Sequence, residues 1–220
     1  MFKTWCALFV LSQVLSGSAV VIGQNLGSSR AILVGALMAQ VVSLGFGWLA
    51  FRVSQRNRLR LPQVGTIKLL SSVLCLIFAG TLAILVDQWF AKLLAQSLGS
   101  TGVAWGSDNQ IRIQKLTTNF SLDLIVIIWM LKSFLVTPVF EEILYRGALG
   151  DILRGRLSEG GAALGVAAVF ATMHPNSPIA AFLFSLALTF GLSKLGSLVP
   201  GMIAHGAMNF IFLLILAVTA

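Results

Sequence analysis

Long uncharged apolar runs alternate with short polar connections along this 220-residue chain. Residues 4–29, 31–51 and 69–86 contain no charged side chain. A helix needs about 20 predominantly apolar residues to span a bilayer, and a lipid-facing backbone has to satisfy its own hydrogen bonds, as a helix does. The pattern predicts seven helical spans, at about 5–23, 31–51, 69–86, 121–145, 160–174, 178–193 and 198–219.

Composition agrees with this pattern. Hydrophobic residues make up 57% of the chain, mean hydropathy is +0.94 and only 10% of residues are charged, against about a quarter in soluble domains. We therefore predict an all-α, polytopic membrane helical bundle that forms one integral membrane domain. Residues 1–118 supply N-terminal transmembrane helices and a polar loop without a motif, and residues 119–220 carry the candidate chemistry.

The basic residues behind the net charge of +8 are clustered between apolar spans. One cluster lies in the connection 52–68 and a second lies within residues 146–156. Loops enriched in Lys and Arg face the cytoplasm, and both clusters give the same topology, with a cytoplasmic N-terminus and an external C-terminus. This distribution indicates a lipid bilayer as the partner and argues against nucleic acid.

Two segments allow two interpretations each. The first 20 residues resemble a signal peptide, but apolar character continues to Gly23, which favours an uncleaved first span. Residues 87–98 place apolar side chains on one helical face. This segment is either an interfacial helix on the membrane surface or an extension of the third span. The rest of the connection to residue 120 reads as an exposed loop.

A few polar side chains fall inside predicted spans, where ionisable groups are costly and usually serve a function. Glu142 and Arg146 are four residues apart with the acid first, which favours a structural ion pair on a helix. Glu141 points roughly 100° away on an α-helix and has no cation at helical spacing, so it is the better candidate for catalysis. The full set is Lys132, Glu141, Glu142, Arg146, His174, His205 and, as the neutral member, Asn209.

Both histidines of the chain lie in its C-terminal half. Glu141 and His174 are each about 16 residues, or on the order of 25 Å of helix, from the turn between their spans, so they can face each other. His205 and Asn209 are four residues apart and share one helical face. His205 is closer to its own turn, so tilt or a protruding hairpin is needed to bring it level with Glu141.

These residues resemble three motifs of the CAAX-protease and bacteriocin-processing family of intramembrane proteases, which includes the type II CAAX prenyl endopeptidases and the abortive-infection proteins. The resemblance covers about residues 120–215, and order, spacing and placement on separate spans all match. The motifs are Glu141-Glu142-x-x-x-Arg146, Phe170-x-x-x-His174 and His205-x-x-x-Asn209.

The resemblance implies a membrane-embedded endopeptidase that acts on a membrane-associated protein or peptide, in a chain whose small size suggests a bacterial plasma membrane. Glu141 can act as the base that activates water. Asn209 and a histidine can stabilise the oxyanion. His174 and His205 can alternatively hold a divalent metal such as zinc together with a carboxylate, and both the metal and the metal-free mechanism stay open.

Two other classes of function share some of these features. A proton-coupled transporter also keeps carboxylates and histidines in the membrane, but it usually shows internal repeats or interrupted spans, and the sequence shows neither. A non-catalytic scaffold of the same fold is the second alternative, and the intact motifs argue against it. The sequence does not identify the substrate.

Overall fold

The computed structural model describes Val41, Gly45 and residues 64–98, 131–174 and 177–219, and the regular structure in these ranges is helical. The predicted spans 5–23 and 31–51 fall outside them, apart from those two single residues, as does the first part of the fourth predicted span. The helices are α1 (Thr66–Leu98), π1 (Lys132–Val136), α2 (Thr137–Glu141), π2 (Glu142–Leu149), α3 (Gly150–Arg154), α4 (Glu159–Thr172), α5 (Pro178–Leu195) and α6 (Val199–Thr219).

Helix α1 is one continuous helix of 33 residues. Of the two interpretations of residues 87–98, the extension of the third span is therefore the correct one. One side of α1 packs against α5 and α6, where Val73 and Leu76 join a core cluster with Leu188 and Met208. The opposite side exposes large apolar side chains, at Ile67, Leu70, Leu74, Phe78, Leu82, Leu85 and Trp89.

The elements π1, α2, π2 and α3 follow one another without interruption over residues 132–154, and we call this segment the Glu helix. It ends later than predicted, at Arg154 instead of residue 145. Two π-helical stretches, in which the backbone bonds over five residues instead of four, flank the α-helical turn that contains Pro138. Helix α4 then begins after Ser158, whose Oγ accepts a hydrogen bond from the Gly161 N–H.

A buried apolar cluster joins the Glu helix to α4. Tyr145 and Phe170 meet edge to face at its centre, with ring centroids 5.1 Å apart. Aromatic pairs in this geometry contribute about 0.5–1.5 kcal/mol beyond their area burial. The members are Phe140, Leu144, Tyr145, Ala148, Leu149, Val166, Phe170 and Ala181.

Helix α5 is held at both ends. At its start, Asp87 Oδ1 in α1 accepts hydrogen bonds from the N–H groups of Ile179 and Ala180, both at 3.1 Å, so a residue from another helix supplies the N-terminal cap. At its end, Gly196 adopts φ 65°, the left-handed conformation that glycine allows. Ser193 donates to Glu159 Oε1 at 2.6 Å, which ties the end of α5 to the start of α4.

Two of the described helices are long and apolar enough to cross a membrane, Thr66–Leu93 within α1 and Pro178–Leu195. Helix α4 and the segment Val199–Phe212 of α6 are apolar but shorter. The all-helical fold is confirmed over the described ranges. The seven-span count stays a prediction.

Candidate functional site

His205 in α6 lies between the two carboxylates of the Glu helix. Its Nδ1 is 3.0 Å from Glu142 Oε1, and its Nε2 is 3.5 Å from Glu141 Oε2. The first contact is a hydrogen bond. The second is within reach of an ion pair but too long for a well-formed hydrogen bond. Each nitrogen atom of the imidazole ring therefore contacts a different carboxylate, and His205 is only 3% exposed.

The ion pair predicted between Glu142 and Arg146 forms, with Arg146 Nη1 2.9 Å from Glu142 Oε1. Glu142 is 0% exposed and Arg146 is 2% exposed. The guanidinium carbon lies 4.5 Å from the Phe170 ring centroid, over the aromatic face, where a cation is attracted by the ring quadrupole. The same Oε1 therefore accepts from Arg146 and from His205 Nδ1–H, because a carboxylate paired with a guanidinium is ionised and only accepts.

The helix type changes between the two glutamates that contact the His205 ring. Glu141 ends α2 and Glu142 begins π2. The expectation of a 100° separation assumed regular α-helical spacing, which a π turn alters. His205 does lie level with Glu141, with 3.5 Å between Nε2 and Oε2.

His174 lies just beyond α4, which ends at Thr172. Its Nδ1 is 2.8 Å from the Phe170 carbonyl oxygen, so Nδ1 carries the proton and Nε2 of the neutral ring is an acceptor. The ring stacks on Phe170 with centroids 4.3 Å apart, and Phe170 meets His205 edge to face at 5.8 Å. The two imidazoles are therefore at most about 10 Å apart, the sum of those two centroid distances.

Asn209 contacts the Glu helix one turn away from His205. Its Nδ2 donates a hydrogen bond of 2.8 Å to the Ser133 carbonyl oxygen. His205 and Asn209 thus share a face of α6, as predicted, and that face meets the Glu helix. The contact to Ser133 was not predicted, because nothing in the local sequence links positions 76 residues apart.

Several buried polar atoms near this cluster have no hydrogen-bond partner among the described residues. Buried polar groups are nearly always paired, so such a group calls for a functional explanation. Four of these atoms belong to Glu141, Glu142 and Arg146, and the fifth belongs to Ser185 in α5, which was not among the predicted residues. The atoms are Glu141 Oε2, Glu142 Oε2, Arg146 Nε, Arg146 Nη2 and Ser185 Oγ.

A cavity of about 280 Å³ lies beside the turns that follow Arg154 and Leu195. Arg146 lines it, but its lining does not include Glu141 or His205. We therefore do not assign this cavity to the reacting atoms.

A metal ion held by His174 and His205 stays a prediction. Within the described ranges, no three His, Cys, Asp or Glu side chains are grouped as a metal site requires. His205 Nε2 and Glu141 Oε2 are 3.5 Å apart, but His174 is not grouped with them as a third ligand. The described arrangement does not fit a three-ligand zinc site, and no step below passes through a metal.

Residues 123–211 match a family model described as type II CAAX prenyl endopeptidase Rce1-like. The matched segment contains all three motifs and the contacts around His205. The match confirms the resemblance to the CAAX-protease and bacteriocin-processing family. No curated protein and no solved structure matches the chain.

Proposed function

We propose that this chain, whose residues 123–211 form an Rce1-like domain of the CAAX protease family, hydrolyses a peptide bond with water activated by Glu141. The observation that carries the proposal is the contact between Glu141 Oε2 and His205 Nε2 at 3.5 Å, with Glu142 on the other side of the ring. A carboxylate beside an oriented imidazole is a general-base arrangement. The family assignment supports the reaction class, and the geometry supports the roles of Glu141, Glu142 and His205.

The reaction begins when Glu141 takes a proton from water as the water oxygen attacks the substrate carbonyl carbon. His205 donates its Nδ1–H to Glu142, so Nε2 of the neutral ring is free to accept a proton from Glu141, and the imidazolium formed is stabilised by Glu142. The proton then passes to the leaving amine as the C–N bond breaks, and the other product keeps the new carboxyl group. This is the logic by which a buried carboxylate orients a histidine in hydrolases.

His174 has a separate role in this scheme. Because the Phe170 carbonyl fixes the proton on Nδ1, Nε2 of neutral His174 can accept a hydrogen bond from the attacking water and orient it. The negative charge that develops on the substrate oxygen requires donors. Asn209 keeps a second N–H on Nδ2 beyond the one that bonds Ser133, and protonated His205 is the other donor of the site.

The family match implies a membrane-associated protein or peptide as the substrate class. We place the protein in a bacterial plasma membrane with its N-terminus and the turns 155–158 and 196–198 in the cytoplasm. Impermeant thiol labelling of single cysteines at residues 156 and 196 tests this topology. Labelling of either position from outside intact cells contradicts it.

A scaffold role is the less supported alternative. A protein that only binds its partners has no need for a half-buried carboxylate without a hydrogen-bond partner among the described residues, because such a group is a liability in lipid.

The experiment that tests the proposed function compares peptides in membranes from cells that express the wild-type protein or the Glu141→Ala variant. New peptide termini that form only with the wild type identify hydrolysis and its substrate. Glu159→Gln is the matched control, since Glu159 is exposed at the start of α4 and away from His205. Identical peptide profiles for wild type and Glu141→Ala, at equal protein levels, contradict the proposal.

A further inference from the structure

Phe184 in α5 packs against the imidazole ring of His205, although it belongs to none of the three motifs. The two rings meet edge to face, with centroids 5.7 Å apart and planes at 83°, an arrangement that aromatic rings prefer. Phe184 is itself buried. Phe170 meets the imidazole in a similar way at 5.8 Å. Two aromatic rings therefore pack against a ring whose nitrogen atoms contact the two carboxylates.

Helix α1 reaches Phe184 at Gly80, where the helices approach so closely that no side chain fits. A Cβ added at Gly80 would lie 2.9 Å from Phe184 Cδ2 and 2.9 Å from both Cγ and Sδ of Met208, where real Cβ contacts essentially never fall below 3.0 Å. The Met208 side chain is flexible and can move aside, whereas the Phe184 ring is rigid and buried. Glycine at residue 80 therefore lets Phe184 occupy the position in which it meets His205.

Gly80 lies outside residues 123–211, the segment that matches the family model. Its neighbour Thr81 also contacts α6, with Oγ1 3.9 Å from Met208 Sδ, and Met208 follows His205 by three residues. Helix α1 thus packs both against Phe184 and against the helix that carries the imidazole. Protein interiors are close-packed and transmit strain. A change at Gly80 should therefore displace His205 through the side chains between them.

We propose that Phe184 is a positioning residue of the site and that α1 holds it in place through Gly80. The Phe184 ring keeps the imidazole from tilting away from Glu141 and Glu142, so it acts on the reaction through His205 and not by contact with the reacting atoms. The activity part of this inference rests on the proposed hydrolysis, whereas its structural part does not.

The first test observes His205 after a change in α1. The chain has two histidines, so a sample with ¹⁵N-labelled histidine in detergent gives two imidazole spin systems, and His174→Gln assigns them. The ¹⁵N shifts of an imidazole report the protonation and hydrogen bonding of its nitrogen atoms. Gly80→Ala should move or broaden the His205 resonances and leave those of His174 unchanged, because His174 stacks on Phe170 instead. Unchanged His205 resonances in folded Gly80→Ala refute the inference, whatever the activity.

Gly191→Ala is the matched control. Gly191 lies in α5 and also faces α1, where an added Cβ would be 3.1 Å from Leu76 Cδ2. It is seven residues from Phe184, or about two helical turns. Gly191→Ala therefore disturbs the packing of α1 on α5 away from the imidazole, and the His205 resonances should keep their wild-type positions. Equal shifts in both variants would mean that any loosening of α1 moves the ring, and the inference would be wrong.

The second test asks whether Gly80 acts through Phe184. With a peptide that the wild type cleaves, Gly80→Ala should lower kcat by about tenfold or more, since a misplacement of about 1 Å can cost on the order of 10²-fold, while KM should stay within about twofold. In the Phe184→Leu background the shorter side chain leaves room for the added methyl group, so Gly80→Ala should lower kcat by less than about threefold more. Equal fold losses in both backgrounds would mean that α1 acts through Met208, and the role given to Phe184 would be wrong.

The remaining outcomes separate the parts of the inference. If Gly80→Ala does not fold, Phe184→Leu decides, because it removes bulk instead of adding it, and unchanged His205 ¹⁵N resonances there refute the inference. If the resonances move in Gly80→Ala but kcat does not change, the role in the reaction is wrong. If no variant hydrolyses any peptide but the resonances move in Gly80→Ala and not in Gly191→Ala, the proposed function fails and the positioning of His205 stands.

Discussion

Replacing Gly206 with alanine places a methyl group against the backbone of the Glu helix. The added Cβ would lie 2.3 Å from the Phe134 carbonyl oxygen, where real Cβ contacts essentially never fall below 3.0 Å. The obstacle is a main-chain atom and cannot rotate away. Helix α6 must therefore move outward by the difference between those two distances, or more.

The cost of that movement has two parts. Overpacking of this kind costs about 1–3 kcal/mol, and loss of the hydrogen bond from Asn209 to the half-buried Ser133 carbonyl costs about 0.5–1.5 kcal/mol more. We expect Gly206→Ala to lower the free energy of unfolding by about 1.5–4.5 kcal/mol and the thermal midpoint in detergent by on the order of 10 °C.

Two other glycines are matched controls. Gly160 in α4 has no atom within 4 Å of an added Cβ, whereas an added Cβ at Gly201 would meet side chains alone, a Leu192 methyl group first and then Glu142 Oε2 at 3.0 Å. Gly160→Ala should be neutral or slightly stabilising, because alanine favours helix by up to about 1 kcal/mol over glycine. Gly201→Ala should be intermediate. A thermal midpoint for Gly206→Ala within about 2 °C of Gly160→Ala would refute the close contact between α6 and the Glu helix.

Three further predictions concern the ion pair, the cap of α5 and the metal question. Arg146→Ala should cost about 3–5 kcal/mol, because it leaves the buried Glu142 carboxylate without its cation; a normal folded yield and thermal midpoint with no activity would assign Arg146 to the chemistry instead. Asp87→Ala should lower stability by about 0.5–2 kcal/mol through loss of the cap on α5, while Asp87→Asn, which keeps an acceptor, should lower it less; equal losses would contradict the capping role. Incubating wild-type protein with chelator should leave the hydrolysis rate unchanged if Glu141 acts on water alone; a loss that zinc restores would support a metal held by His174 and His205.

Local signals in the sequence predicted the helical architecture and the candidate residues of the site. Uncharged apolar runs indicated α1, α4, α5 and α6, and spacing of four indicated the pair Glu142–Arg146. These predictions depend on neighbours within one helix, where side-chain period and ion-pair geometry are known.

The features that the sequence did not predict depend on contacts between distant segments and on departures from regular α-helix. The two glutamates that contact one imidazole lie at the junction of α2 and π2, and a π turn has no reliable local signature. The cap that Asp87 supplies to α5 joins positions more than 90 residues apart. The hydrogen bond between Asn209 and Ser133 joins positions 76 residues apart.

The central claim is that Glu141 is the base, and Glu141→Gln tests it most directly. Glutamine keeps the size and the hydrogen-bonding capacity of the side chain but cannot accept the proton from water. With a peptide found to be cleaved by the wild type, reconstituted in liposomes, the hydrolysis rate of Glu141→Gln should fall by about 10²–10⁴-fold. Its thermal midpoint in the same detergent should equal or exceed that of the wild type, since a half-buried carboxylate is removed. A rate within about tenfold of the wild type, at equal stability, would contradict the account. Another residue would then be the base, and Glu142 would be the next candidate.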